Sequence, residues 1–412
     1  MRSLIFAQAI VFSTFSISAE AQNFFTVSSL KYEGAARLPI ATYGESRISY
    51  TEGTFTITPD GSTMFVVGHA QDQAIAEFET PKLSLNEDIS GLPMARNVQP
   101  FSSFLNRIPT GNPEGISRIT GMQLVDEKLI VNGVEFYDGE ANNTDTTFII
   151  QNPQSLEESQ VSGFFKLDGD SHAAGWITEI PNNWQSALGG NFIFGFASNY
   201  PINARNSMGP SAFAVEIQNV LNASAGDRIS SRPLLDYPVD NPLVFDHYNE
   251  KGGNDLWTEV SKANIGFIVP GTNTYAVFGS SGGHDSGVGY KITQETGYEC
   301  GGACPYDSRD VYNYYWLYNL EDLSQVVSGS LAPHSIKPYD YGKFTIPFEN
   351  IGYKTNLIVG ANFNRSEGKL YFLLGDADTL QSRYETAPLL VAFSIQGDQI
   401  SQPKPPSSIS IQ

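Results

Sequence analysis

"EGKLYFLLGDAD", from Glu367 to Asp378, is a turn followed by a run of aromatic and aliphatic residues. Such a run suits a half-buried β-strand. Four other stretches repeat it: "DGSTMFVVGH" from Asp60, "DEKLIVNGVEF" from Asp126, "GGNFIFGFAS" from Gly189 and "GTNTYAVFGSSG" from Gly271. Each follows another strand-like run, in order "GTFTITP", "ITGMQLV", "GWITEIP", "IGFIVP" and "TNLIVGANF". Each also precedes a third: "AIAEFETP", "TTFIIQNP", "SAFAVEIQ", "YNYYWLYN" and "PLLVAFSI". One strand triplet, used five times, points to an internally repeated all-β architecture.

A fourth, outer strand follows some of the units, in "SGFFKLDG", "RPLLDYP" and "KPYDYGKFTIPF". After the fifth unit the chain runs into "SQPKPPSSISIQ", a Pro- and Ser-rich tail with no strand pattern. The missing strand has a candidate at the other end, in "FTVSSLKYEGAARLP" from Phe25 to Pro39. An N-terminal strand completing the last sheet closes a ring. The expected fold is therefore a β-propeller of five four-stranded blades. Units spaced by roughly sixty to a hundred residues keep six or seven blades as the alternative.

Composition sets the class. The chain has 412 residues, a net charge of -20, 12% aromatics, 38 glycines and 23 prolines, which favours short strands and turns over helices. Such acidity argues against nucleic acid or anionic membrane as partners. Residues 1–21, "MRSLIFAQAIVFSTFSISAEA", combine Arg2, a short apolar run and an Ala-Glu-Ala end, which reads as a secretory signal. The domain plan is then a signal peptide at 1–21, one propeller at 22–400 and a disordered tail at 401–412. A secreted or periplasmic monomer without a membrane span is expected.

In a propeller, the loops between second and third strands share a face with the connections between blades. Here those segments are long and polar, whereas opposite loops such as "TPDGS" and "VDEK" are short. Long unstructured loops tend to carry function. Four of the five histidines, His69, His172, His247 and His284, fall on the long-loop face. Arg205, Tyr137 and Tyr248 join them there.

Two constellations carry chemistry. Arg205, His247, Tyr248, His172 and Tyr137 supply what β-elimination from a uronic acid requires: a cation to quench the carboxylate, a base for the C5 proton and an acid for the leaving oxygen. His284, Cys300 and Cys304 can provide three ligands to a structural zinc, with Asp285 or Asp307 as a fourth. In an exported chain the alternative is a disulfide across "CGGAC". The "DGD" pair Asp168 and Asp170 and the "DAD" pair Asp376 and Asp378 make calcium the second cofactor candidate. Glu52 and Glu259 are the best carboxylate pair for glycoside hydrolysis. Serine-hydrolase, zinc-protease, phosphate-loop and dinucleotide motifs are absent.

The runs "IGFIVPGTNTYAVFGSSGGHDSGVGY" and "RNSMGPSAFAVE" resemble segments of exported bacterial propeller-like proteins of mostly unknown function. More remotely, an acidic secreted propeller with an Arg, His and Tyr rim resembles the ulvan lyases. That resemblance implies roles for Arg205, His247 and Tyr248. The histidine pair those enzymes carry early in the chain has no counterpart around "ITGMQLV" and "VEFYDGEANN". The functional expectation is a propeller that engages extracellular polysaccharide, as a lyase of uronic-acid chains or as a non-catalytic glycan- or protein-binding module.

Overall fold

The computed structural model describes residues 23–196, 207–350 and 355–395. The expected signal peptide and C-terminal tail lie outside these residues. The first strand, β1 (Leu30–Arg37), is separated in sequence from the sheet it joins. Blade 1 follows as β2 (Phe55–Ile57), β3 (Thr63–Val67), β4 (Ile75–Glu79) and β5 (Asn97–Ser102). Blade 2 is β6 (Arg118–Val125), β7 (Lys128–Val134), β8 (Asp145–Ile150) and β9 (Val161–Leu167). Blade 3 starts with β10 (Ile177–Glu179), β11 (Phe192–Phe194) and β12 (Ala212–Val215). A two-residue strand, β13 (Arg228–Ile229), then adds in parallel to the outside of blade 2, and β14 (Ser231–Leu235) completes blade 3.

Blade 4 comprises β15 (Lys262–Ile268), β16 (Thr274–Gly282), β19 (Val311–Asn319) and β20 (Asp340–Lys343). Between β16 and β19 a small hairpin of β17 (Val288–Tyr290) and β18 (Ala303–Pro305) stands apart as its own sheet. Blade 5 is β21 (Ile358–Asn364), β22 (Lys369–Asp378) and β23 (Ala387–Ile395), and its outer strand is β1. The β1–β23 pairing runs antiparallel from Leu30↔Ile395 to Arg37↔Leu389. The innermost strands β2, β6, β10, β15 and β21 lie side by side in that order, and β21 lies against β2. The protein is a five-bladed β-propeller closed by its N-terminal strand.

Each inner strand is stitched to the next by a side chain. Thr54 donates to the Ile119 carbonyl at 2.8 Å, Thr120 to Ala174, Thr178 to Gly266 at 2.8 Å, and Asn264 to Val359 at 2.8 Å. The Asn362 amide closes the circuit on the Thr56 hydroxyl at 3.3 Å. Five blades bring the inner strands unusually close. At Gly121 and Gly360 a β-carbon would fall 1.7 Å and 1.6 Å from the carbonyl oxygens of Gly175 and Gly53, so only glycine fits. Apolar side chains fill the wedges between blades, as where Phe267 and Phe278 of blade 4 stack and Phe372 of blade 5 meets Phe278 edge-on at 5.7 Å.

The lower face is less plain than the sequence implies. Short helices occupy its connections: α1 (Asn182–Leu188), α2 (Ile217–Leu221) and α3 (Leu320–Val327). Their five- to eight-residue length gives too little helical periodicity to be read beside so many strand signals. Below the channel, Arg365 of blade 5 reaches Glu179 of blade 3 at 2.8 Å, and Phe363 stacks on Phe267 at 4.2 Å. These contacts span the lower end of the central channel.

Candidate functional site

The upper face gathers the connections between blades and the loops between second and third strands, because strands alternate in direction through each blade. Nine large aromatic side chains are exposed among the described residues. Tyr50, Tyr137, Phe245, Tyr290, Tyr298, Tyr306 and Tyr384, all 47–80% exposed, belong to upper-face segments. The other two, Phe24 and Tyr339, stack on each other at 4.6 Å. Among the described residues, exposed aromatic rings are thus concentrated on the upper face.

Two histidines there are paired with carboxylates. His172, in the connection from blade 2 to blade 3, places Nδ1 2.6 Å from Asp236 Oδ1. Such a bond fixes the imidazole's orientation. In the connection from blade 3 to blade 4, His247 Nε2 lies 3.7 Å from Glu259 Oε2, and its ring packs 5.0 Å from that of Tyr248. Burial raises the Glu259 carboxyl above its ordinary pKa, with the His247 charge acting in opposition. The Tyr248 phenol is likewise raised, first by burial and then by Glu259. His247, Tyr248 and Glu259 thus form a compact group with a base, a phenolic proton donor and a partly buried carboxyl.

The remaining candidates are dispersed. His172 contacts Asp236 rather than His247, and the Tyr137 side chain projects from blade 2. His69 packs edge-on against Tyr50 at 5.6 Å, near the junction of blades 5 and 1, where the Tyr50 hydroxyl donates to the Tyr384 carbonyl. Arg205 lies outside the described residues. Glu52 and Glu259 do not present a free carboxylate pair, since Glu52 is bound by Arg118 at 3.2 Å and Glu259 faces His247.

The zinc reading of His284, Cys300 and Cys304 is corrected. The two sulfurs form a disulfide, so neither is available as a thiolate. His284 is a buried structural residue. Its Nε2 bonds Ser281 Oγ at 2.7 Å, its Nδ1 bonds the Asn254 carbonyl at 2.7 Å, and its ring stacks on Tyr312. Burial holds its pKa below the usual value. The acidic pairs read as calcium candidates are engaged too. Arg228 bridges Asp168 and Asp170, Arg37 from β1 grips the buried Asp378 at 2.8 Å, and Asp376 accepts from Thr386. Among the described residues no group of three or more His, Cys, Asp or Glu side chains is arranged to hold a metal ion.

The hairpin of β17 and β18 makes the disulfide-closed segment a flap over blade 4. The Asp310 carboxylate takes hydrogen bonds from the Asp285 and Ser286 amides and the Ser286 hydroxyl. Asn249 binds the Gly283 and His284 carbonyls, and the Val288 amide donates to Tyr248. The flap, with Tyr290, Tyr298 and Tyr306, is therefore tied directly to the His247–Tyr248 loop.

Of the channel pocket, the sequence singled out only Glu52, as half of a carboxylate pair with Glu259. This pocket, in the upper half of the channel, is lined by Glu52, Thr54, Thr120, Trp176, Lys262, Asn264 and Asn362, among others. The available signal was a polar residue at alternate positions of an inner strand, as in "KAN" at 262–264, where a channel-facing position replaces an apolar one.

No protein-family model matches the chain, and no curated protein matches its sequence. Among solved structures, the RRP9 WD40 repeats superpose with a TM-score of 0.31 at 10% identity, covering 90% of this chain and 98% of that one. Phage phi92 endosialidase gives 0.34 at 10% identity, covering 93% of this chain and 54% of its own. U3-55K gives 0.32 at 11% identity, covering 82% and 79%. These are distant likenesses, and the assignment of the fold rests on the sheet topology. No helix of the described residues is long and apolar enough to cross a membrane.

Proposed function

We propose that this propeller engages an extracellular polysaccharide across its upper face. The observation that carries the reading is the confinement of exposed aromatic rings to that face, apart from the mutually stacked Phe24 and Tyr339. A sugar ring has an apolar C–H face and a rim of hydroxyls. It therefore binds where flat aromatic surface lies beside polar loops. The net charge of -20 opposes polyanionic chains at long range, so neutral glycans are the favoured class. Calorimetric titration with cellohexaose, xylohexaose, laminarihexaose and mannohexaose tests this. Saturable binding to at least one is expected, weakened about tenfold, or about 1.4 kcal/mol, in Phe245→Ala and Tyr384→Ala. Absence of binding to every neutral chain refutes it.

A second reading, β-elimination on a uronic-acid chain, is favoured by the His247–Tyr248–Glu259 group alone. His247 would take the C5 proton and Tyr248 would protonate the leaving oxygen, with Arg205 as the expected carboxylate partner. Ultraviolet absorbance of unsaturated uronate, followed on ulvan, alginate and pectin, reads it out. The rise should vanish in His247→Ala and Tyr248→Phe. A flat trace on all three substrates removes lyase activity.

A further inference from the structure

The upper channel pocket holds polar groups that the propeller itself does not satisfy. Glu52 gives one carboxylate oxygen, Oε1, to Arg118, while its Oε2 is buried and accepts no hydrogen bond from the described residues. Asn264 spends its amide N–H on the Val359 carbonyl, leaving Oδ1 buried and equally unmatched. Lys262, two residues before Asn264 on β15, lines the same pocket and makes no salt bridge or hydrogen bond with the described residues. A buried acceptor without a partner costs on the order of 1–3 kcal/mol, and natural folds retain such groups where they have a use.

The backbone is also irregular at this level. Three of the five inner strands shift register there, between Ile119 and Gly121, Ala263 and Ile265, and Ile358 and Gly360. The residues at these bulges, Thr120, Asn264 and Val359, all line the pocket. Bulges re-aim side chains and concentrate beside functional sites. The Glu179–Arg365 ion pair crosses the lower end. Space for the centres of water-sized groups amounts to about 40 Å³, room for roughly three.

We propose that this pocket binds a vicinal diol. One hydroxyl accepts from the Lys262 ammonium and donates to Glu52 Oε2, and its neighbour donates to Asn264 Oδ1. A hydroxyl is the group that suits this set, since it both donates and accepts, whereas a metal ion would meet the ammonium and an anion would meet the carboxylate. Burial depresses the Lys262 pKa, with Glu52 acting in the opposite sense, in keeping with a cation that has surrendered water without gaining a bonded carboxylate. The diol can belong to a free polyol or to the terminal sugar of a chain lying on the aromatic face. The second source alone rests on the glycan-binding reading.

The test uses the full chain, with glycerol as the minimal probe, followed by saturation-transfer NMR. Glycerol should saturate in the wild type. Its affinity should fall at least tenfold in Lys262→Met and Asn264→Leu and stay unchanged in Lys82→Met, which removes an exposed lysine on the lower face. Circular dichroism of each variant separates lost binding from lost folding. No glycerol saturation, or equal saturation in wild type and a folded Lys262→Met, overturns the inference in favour of a channel that holds water only. Cellohexaose, intact and with every hydroxyl of its non-reducing sugar methylated, identifies the source. A loss on methylation that is not additive with Lys262→Met assigns the pocket to chain ends. Glycerol binding without hexaose binding upholds the pocket for free polyols and refutes the glycan-binding face.

Discussion

Replacing Gly360 by alanine tests the tightness of the five-blade ring, on which the channel depends. The new β-carbon would lie 1.6 Å from the Gly53 carbonyl oxygen and 2.5 Å from its carbon, in the backbone between Glu52 and Thr54. Reaching an ordinary contact of 3.4 Å requires blades 5 and 1 to separate by about 1.8 Å at that level. Neither partner is a side-chain tip that can swing aside. Overpacking costs about 1–3 kcal/mol. Separation also strains the Asn362–Thr56 bond across the same seam, worth about 1 kcal/mol. The total is about 2–4 kcal/mol, and with unfolding entropy of about 2.1 cal/mol/K per residue the melting temperature should fall by about 3–5 °C. Scanning calorimetry at one fixed rate reads the shift. Gly301→Ala is the matched control, because nothing lies within 4 Å of its β-carbon position and its backbone is not left-handed. A Gly360→Ala protein melting within about 1 °C of wild type refutes the close seam.

Lys262→Met should raise the melting temperature even as it removes the diol site, because it deletes a half-buried, partly desolvated cation that makes no hydrogen bond or salt bridge with the described residues. A lower melting temperature in thermal scans would show that Lys262 supports the fold. His284 links stability to pH. Its folded pKa lies below the ordinary 6.5, so the neutral ring's contribution is complete above about pH 6.5 and is lost as pH falls towards the folded value. Urea titrations between pH 7 and 5 should show this acid loss in wild type and a shallower loss in His284→Gln. An unchanged slope would assign it to other groups. Replacing Cys300 and Cys304 by serine opens a five-residue loop, worth about 2 kcal/mol by chain entropy. The flap is a separate two-stranded sheet, so the effect should stay local: trypsin should cut faster after Lys291 while global melting hardly moves. A large fall in melting temperature would make the flap part of the cooperative unit.

The blade plan was legible because each strand carries its own signal. Tyr371, Phe372, Leu373 and Leu374 are buried as "KLYFLLG" predicts, and β1 completes blade 5 where a lone N-terminal strand pattern met a missing outer strand. The upper face was legible for a related reason: once strand order is known, alternating direction fixes which loops share a side. The cysteines show where such reading stops. Their spacing admits a disulfide or a zinc ligand pair, and only the burial of His284 between Ser281 and the Asn254 carbonyl shows that its ring is already engaged.

Local pattern thus determined the strands, their fivefold recurrence, the closing strand and the acidic, loop-rich character of the molecule. Tertiary structure alone decided which side chains meet. His247 meets Glu259 twelve positions away, His172 meets Asp236 across 64, and Glu52 shares a pocket with Lys262 across the channel. The physical reason is that strand formation depends on neighbours along the chain, whereas a site depends on distances between blades. Those distances are set by how closely Gly53, Gly121, Gly175 and Gly360 allow the inner strands to approach.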